Sequence, residues 1–118
     1  YAGAAVQALR DHVKHWMTLN ELHTFIQCGY RIGDHAPFRK EPDHVVWQAH
    51  HHGLLAHGRA VQAVREFGGR GAQVGFVHNP EAPIPLEESP EHIAAARAYY
   101  EHVTGNYLMP LYRGHYSA

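Results

Sequence analysis

Hydrophobic positions along the chain fall first at helical spacing and then at strand spacing. Val6, Leu9 and Val13 recur at three- and four-residue steps, and the Ala-rich stretch 2–11 predicts the end of a helix. Residues 13–20 (VKHWMTLN) predict a strand, because β-branched and aromatic side chains dominate over a length usual for strands. Residues 22–41 read as a long excursion punctuated by Gly29, Gly33 and Pro37, with a short helix within 22–27. A longer helix follows. Pro42 suits its first turn, Asp43 complements its positive end, and Val46, Ala49, Gly53, Ala56, Ala60, Val64 and Phe67 form one apolar face. Gly68 and Gly69 stop it.

Residues 72–77 (AQVGFV) predict a second strand, short and mostly apolar as a strand covered on both faces would be. His78, Asn79 and Pro80 end it. Pro83 and Pro85 bar regular helix from 81–88. Ser89-Pro90-Glu91 starts a last helix with a hydroxyl cap, a first-turn proline and an acid. Ile93, Ala96, Tyr100 and Val103 mark its inner face, and the chain after Gly105 reads as a turn or short irregular segment around Pro110 and Gly114. Tyr99, Tyr100, Tyr107 and Tyr112 are expected to pack in an outer layer. Strands alternating with helices imply right-handed parallel β-α units, hence an α/β fold. Two parallel strands cannot bury both faces of their own sheet, so this pattern calls for neighbouring strands on either side.

Composition narrows the function classes. Hydrophobic residues make up 45% and charged residues 18%, as in ordinary globular chains rather than disordered ones. A formal net charge of -1 gives no electrostatic pull toward nucleic acid or anionic membrane. No apolar run is long enough to span a bilayer as a helix. The N-terminus lacks a basic, apolar leader and an initiator Met, and it already reads as helix interior, so a piece of a longer chain is expected. The single Cys28 cannot form an internal disulfide, which favours a reducing compartment and a cytoplasmic location. Cys28 itself reads as a small packing residue, since nothing in the sequence pairs it with a base. Trp16, inside a strand, reads as core.

Histidine is the compositional outlier, with 13 copies. On a helix His50 and His57 share a face, as do His44 and His51, which raises the alternative of a His-rich metal-binding protein. No His-Glu-x-x-His motif and no cysteine cluster accompany them, so these residues read as incidental helix histidines and no metal or cofactor is expected.

The residue with the clearest chemical meaning is Glu21. In parallel β-α folds, active-site groups gather at the C-terminal ends of strands, and Glu21 follows the first strand directly. Asn20 beside it can donate and accept hydrogen bonds, as sugar hydroxyls require.

Trp16-Met17-Thr18-Leu19-Asn20-Glu21, followed by Gly29-Tyr30, Gly33 and His35-Ala36-Pro37, resembles glycoside hydrolase family 1, the β-glucosidase family. The likeness continues through Ala56-His57-Gly58-Arg59-Ala60-Val61 and Ala72-Gln73-Val74-Gly75-Phe76-Val77-His78-Asn79, and ends with Pro110-Leu111-Tyr112-Arg113-Gly114-His115-Tyr116. It covers essentially the whole chain. It implies that residues 1–118 are one segment of a catalytic (β/α)8 TIM barrel: about two β-α units, strands four and five with flanking helices. It further implies a retaining β-glycosidase that acts on terminal β-linked glucose- or galactose-type sugars in carbohydrate metabolism. In that frame Glu21 matches the general acid/base and Asn20 the partner of the sugar 2-hydroxyl. His23 and His35 match loop positions lining the aglycone side, and Asn79 is expected to face the same region. The implied partners are a small β-glycoside and the remainder of the barrel. An isolated piece with open strand edges should also self-associate.

The chain departs from the family pattern at three positions. Leu22 replaces the proline after the acid/base, which frees φ and adds an N–H donor. Phe38 replaces the glycine after His-Ala-Pro, and a positive φ there would demand that the loop be rebuilt. Ser117 stands in place of a terminal proline. The Thr-Glu-Asn-Gly motif that carries the family's nucleophile does not occur in the sequence, so the chain is expected to hold half of a catalytic pair and to be inactive alone. The departures keep open a second alternative, a non-catalytic sugar-binding or pseudoenzyme derivative of the same barrel.

Overall fold

In a computed structural model, which describes residues 1–116, the chain divides into two compact units: Tyr1–His78 and the residues from Asn79 onward. Ser117 lies outside the described residues.

The first unit contains α1 (Ala2–Leu9), β1 (His15–Asn20), α2 (Leu22–Ile26), a π turn (Gln27–Ile32), α3 (Asp43–Phe67) and β2 (Gln73–Val77). The two strands pair in parallel, with His15 opposite Gln73, Trp16 opposite Val74 and Met17 opposite Gly75. The register slips before Asn20 meets Val77. Parallel neighbours joined through a 25-residue helix make one β-α-β crossover, as the alternating periods predicted. β1 begins two residues later than the sequence suggested, and α3 opens with Pro42 as its cap residue (φ -66, ψ 156) rather than inside its first turn.

The core of this unit lies where α3 meets α1, α2 and the sheet. Val6, Leu22, Ile26, Val46, His50, Leu54 and Val64 are all buried. Leu22, the residue in place of the family's proline, is fully buried. It presses on Gly53 of α3, where a Cβ would collide with its Cδ1, so glycine is what lets the two helices approach. The substitution at position 22 therefore supplies a core anchor directly behind Glu21. The other face of the sheet is bare within this unit, with Met17 63% exposed.

The second unit contains α4 (Pro90–Tyr100), a π turn (Glu101–Gly105) and α5 (Asn106–Arg113). Ser89 caps α4 as expected, its Oγ accepting from the His92 amide at 3.3 Å. The Pro-rich segment is tied to the π turn. The Glu81 amide donates to Thr104 Oγ1, and that hydroxyl donates back to the Glu81 carbonyl, each at 3.1 Å. The Glu81 carboxylate accepts from the Tyr99 hydroxyl at 2.7 Å, which with the nearby charge raises the Tyr99 pKa.

One expectation for this unit fails. The stretch after Gly105 is helical, although Pro110 lies inside it. A π turn directly precedes α5, and Gly114, at φ 76 with its amide on the Met109 carbonyl, is the helix's left-handed stop. No described residue of α4 is buried, and Ile93 and Tyr100 of its expected inner face are exposed. Of the four tyrosines expected to pack, only Tyr107 is buried.

Candidate active site

Parallel pairing sets the C-terminal ends of β1 and β2 side by side. Glu21 follows β1 at that end, and its amide donates to the Val77 carbonyl of β2 at 2.9 Å. One extra ladder bond thus carries the sheet into the residue that starts the loop. Glu21 is also the cap residue of α2, in the left-handed region at φ 47, ψ 61. A non-glycine side chain there costs about 1–2 kcal/mol of backbone strain. The bond to Val77 and the buried Leu22 hold it in place. Thr24 Oγ1 donates to Glu21 Oε2 at 3.1 Å and fixes one carboxylate oxygen.

A side-chain link below this end ties the strands to α3. Thr18 Oγ1 lies 2.6 Å from His57 Nδ1 and donates to the Gly75 carbonyl at 3.2 Å. A hydroxyl has one proton and the carbonyl can only accept, so His57 must donate from Nδ1. Burial lowers the His57 pKa, in keeping with a neutral ring that also meets Phe76 edge-on, centroids 5.3 Å apart. The link falls where the register slips, three residues before Glu21.

The other expected site residues are placed as follows. Asn20 is exposed as the last residue of β1, opposite Val77. His23 is half-buried in α2, near enough to His78 that its charge, after burial itself, lowers the His78 pKa. His35 is exposed on the loop beyond the π turn, in a group with Cys28 and Asp34. Asn79 is exposed and opens the second unit. Asn20, Glu21 and His23 thus share one strand end, whereas His35 belongs to a separate cluster.

Sequence reasoning missed three features of this region. Neither the left-handed backbone at Glu21 nor the Thr18–His57 link has a local sequence signature. Phe38 itself takes φ 59, a left-handed conformation that a large side chain seldom adopts. The Cys28 thiol, half-buried, has its pKa raised by desolvation and then by the Asp34 carboxylate, to which it hydrogen-bonds. The histidine run does not converge: His50 is buried and stacks on Trp47, while His51 and His52 are exposed.

Comparison with known proteins gives a consistent result. The family model for glycosyl hydrolase family 1 matches residues 1–118. The chain is 35% identical over 129 residues to beta-glucosidase 1B of Phanerodontia chrysosporium, covering 100% of this chain and 24% of that protein. It is 37% identical over 119 residues to a 1,4-beta-D-glucan glucohydrolase of Thermotoga neapolitana, covering 98% of this chain and 27% of that one. Among solved structures, the beta-glucosidase of Thermotoga maritima in complex with glucoimidazole superposes with a TM-score of 0.90 at 34% identity, covering 100% of this chain and 27% of that chain. The chain thus spans about a quarter of the length of the curated relatives it matches.

Proposed function

The chain belongs to glycosyl hydrolase family 1, with the fold of a partial (β/α)8 barrel, and from that premise we propose that it supplies the acid/base side of a retaining β-glycosidase site. The observation that carries this reading is the position of Glu21. Its carboxyl group stands at the C-terminal end of paired parallel strands, where barrels of this kind place their chemistry.

A glycosidic oxygen leaves poorly unless it gains a proton as its bond breaks. Glu21, protonated, gives that proton to the oxygen. A carboxylate from the rest of the barrel, about 5–5.5 Å away, attacks the anomeric carbon as the C–O bond breaks, and the aglycone departs as an alcohol. Glu21, now a carboxylate, takes a proton from water. The hydroxide adds to the anomeric carbon and frees the nucleophile. Asn20 bonds the sugar 2-hydroxyl, a contact that strengthens as positive charge develops at the neighbouring carbon. His23 lines the aglycone side. The substrate class is a terminal β-linked glucose- or galactose-type sugar.

The test is Glu21→Gln in the intact barrel, assayed on aryl β-glycosides of graded leaving-group acidity. Turnover should fall by about 10²–10⁴ for poor leaving groups and much less for acidic ones, which need no proton. Equal activity across the series would remove Glu21 from the mechanism. An intact wild-type barrel that binds the sugar but turns over none of these substrates would favour the non-catalytic alternative.

A further inference from the structure

The loop after α2 gathers three metal-ligating groups that take no part in the proton transfer proposed for Glu21. Cys28 Sγ, a carboxylate oxygen of Asp34 and a ring nitrogen of His35 all lie within 4.8 Å of one another. The backbone builds this grouping. The π turn ends at Gly33, whose φ of 81 reverses the chain, and the amides of Gly33, Asp34 and His35 then all donate to the Cys28 carbonyl, at 2.9, 3.0 and 3.2 Å. Two further bonds close the loop, from the Phe38 amide to the His35 carbonyl (2.6 Å) and from the Arg39 amide to the Gly29 carbonyl (3.0 Å). The limbs touch closely enough that a Cβ on Gly29 would meet the Ala36 carbonyl oxygen at 2.7 Å.

We propose that Cys28, Asp34 and His35 form a binding site for a thiophilic divalent cation, of which zinc is the best match, with a fourth position open to water. A sulfur, an imidazole nitrogen and a carboxylate oxygen are zinc's preferred donors, at about 2.3, 2.0–2.1 and 2.0–2.2 Å from the metal. Tetrahedral donors at those lengths stand roughly 3.3–3.8 Å apart. Moving the donor atoms by about 1 Å closes the shell, and Asp34 and His35 are exposed and have room to rotate. Calcium and magnesium, which take oxygen ligands, do not suit a thiolate. The metal takes the place of the Cys28 thiol proton, which passes to solvent as the thiolate forms. The site does not involve the histidine run of α3, and the proposal stands apart from the glycosidase reading.

Cobalt(II), which adopts zinc's geometry, provides the test in the intact protein. One equivalent should produce a thiolate-to-cobalt charge-transfer band and tetrahedral d–d bands, all displaced by zinc. Cys28→Ser should abolish the charge-transfer band. Asp34→Asn and His35→Ala should each weaken binding by roughly tenfold or more, since even outer-sphere partners of a metal are worth that much. Circular dichroism would establish that the variants fold. Three results overturn the proposal: no charge-transfer band, a band that survives Cys28→Ser, or an affinity unchanged in both other variants. The last would mean a lone thiolate or the histidine run.

Discussion

Two residues of the first unit, Glu21 and Phe38, hold a backbone conformation that suits neither. Phe38 is 69% exposed, so little burial offsets the strain. Phe38→Gly in the intact protein should raise stability by about 1 kcal/mol, seen as a higher urea midpoint with unchanged slope. A lower midpoint would show that the ring earns its place through contacts in the assembled barrel. Glu21 differs in that its amide and one carboxylate oxygen are hydrogen-bonded and the next residue, Leu22, is fully buried. At this scale the sequence was half legible. The position of Glu21 followed from where a strand pattern ended, but its φ did not, because no side chain of Glu or Leu announces a left-handed turn. Cys28, Asp34 and His35 looked unrelated for a similar reason: only the folding of three amides onto one carbonyl brings them together.

Among the elements, the long helix α3 organises the unit. Its apolar stripe was legible only in part: Val46 and Val64 are buried as the 3.6-residue period implies, but so are His50 and Leu54, which lie outside the expected face, while Ala56 within it is exposed. The meaning of Gly53 within that stripe was not legible, since closeness to Leu22 depends on how two helices cross. Gly53→Ala should drive its new methyl into Leu22 and destabilise the protein by about 1–3 kcal/mol. Leu22→Ala should cost about 2–5 kcal/mol by opening a cavity at the same contact. The double variant, read by urea unfolding, should recover part of the loss, because each change relieves the other. Strict additivity would mean the two residues do not meet. The error after Gly105 has a plain origin. Pro110 and Gly114 are ordinary helix breakers, yet Pro110 lies inside α5, directly after a π turn, and only Gly114 ends the helix.

On the scale of the whole chain, the alternation of helix and strand was enough to predict parallel β-α units and the need for further strands. The bare face beside Met17 is that need in physical form. What the pattern could not convey was how protonation couples to folding. His57 and His78 both have lowered pKa values: burial acts on each, and the charge of His23 adds to it at His78. The unfolded chain therefore binds protons more readily than the folded one. Stability from these two groups is fully present above the ordinary histidine value of 6.5, and it declines as pH falls from there through their lower folded values. Urea midpoints taken from pH 7.5 downward should drop, and less so in His57→Gln, whose amide does not titrate. A midpoint flat through this range would mean that both rings are as easily protonated folded as unfolded.

The twist at position 21 also bears on how such barrels change over generations. Glycine or asparagine would rest there more comfortably than glutamate, by about 1 kcal/mol. Selection for folding alone therefore pulls toward discarding the carboxyl group, and the discard would leave strands and helices intact. Under the acid/base role proposed for Glu21, a barrel of this design drifts toward being a silent carbohydrate receptor whenever demand for turnover lapses, and only a function of the carboxyl group holds it in its uncomfortable seat.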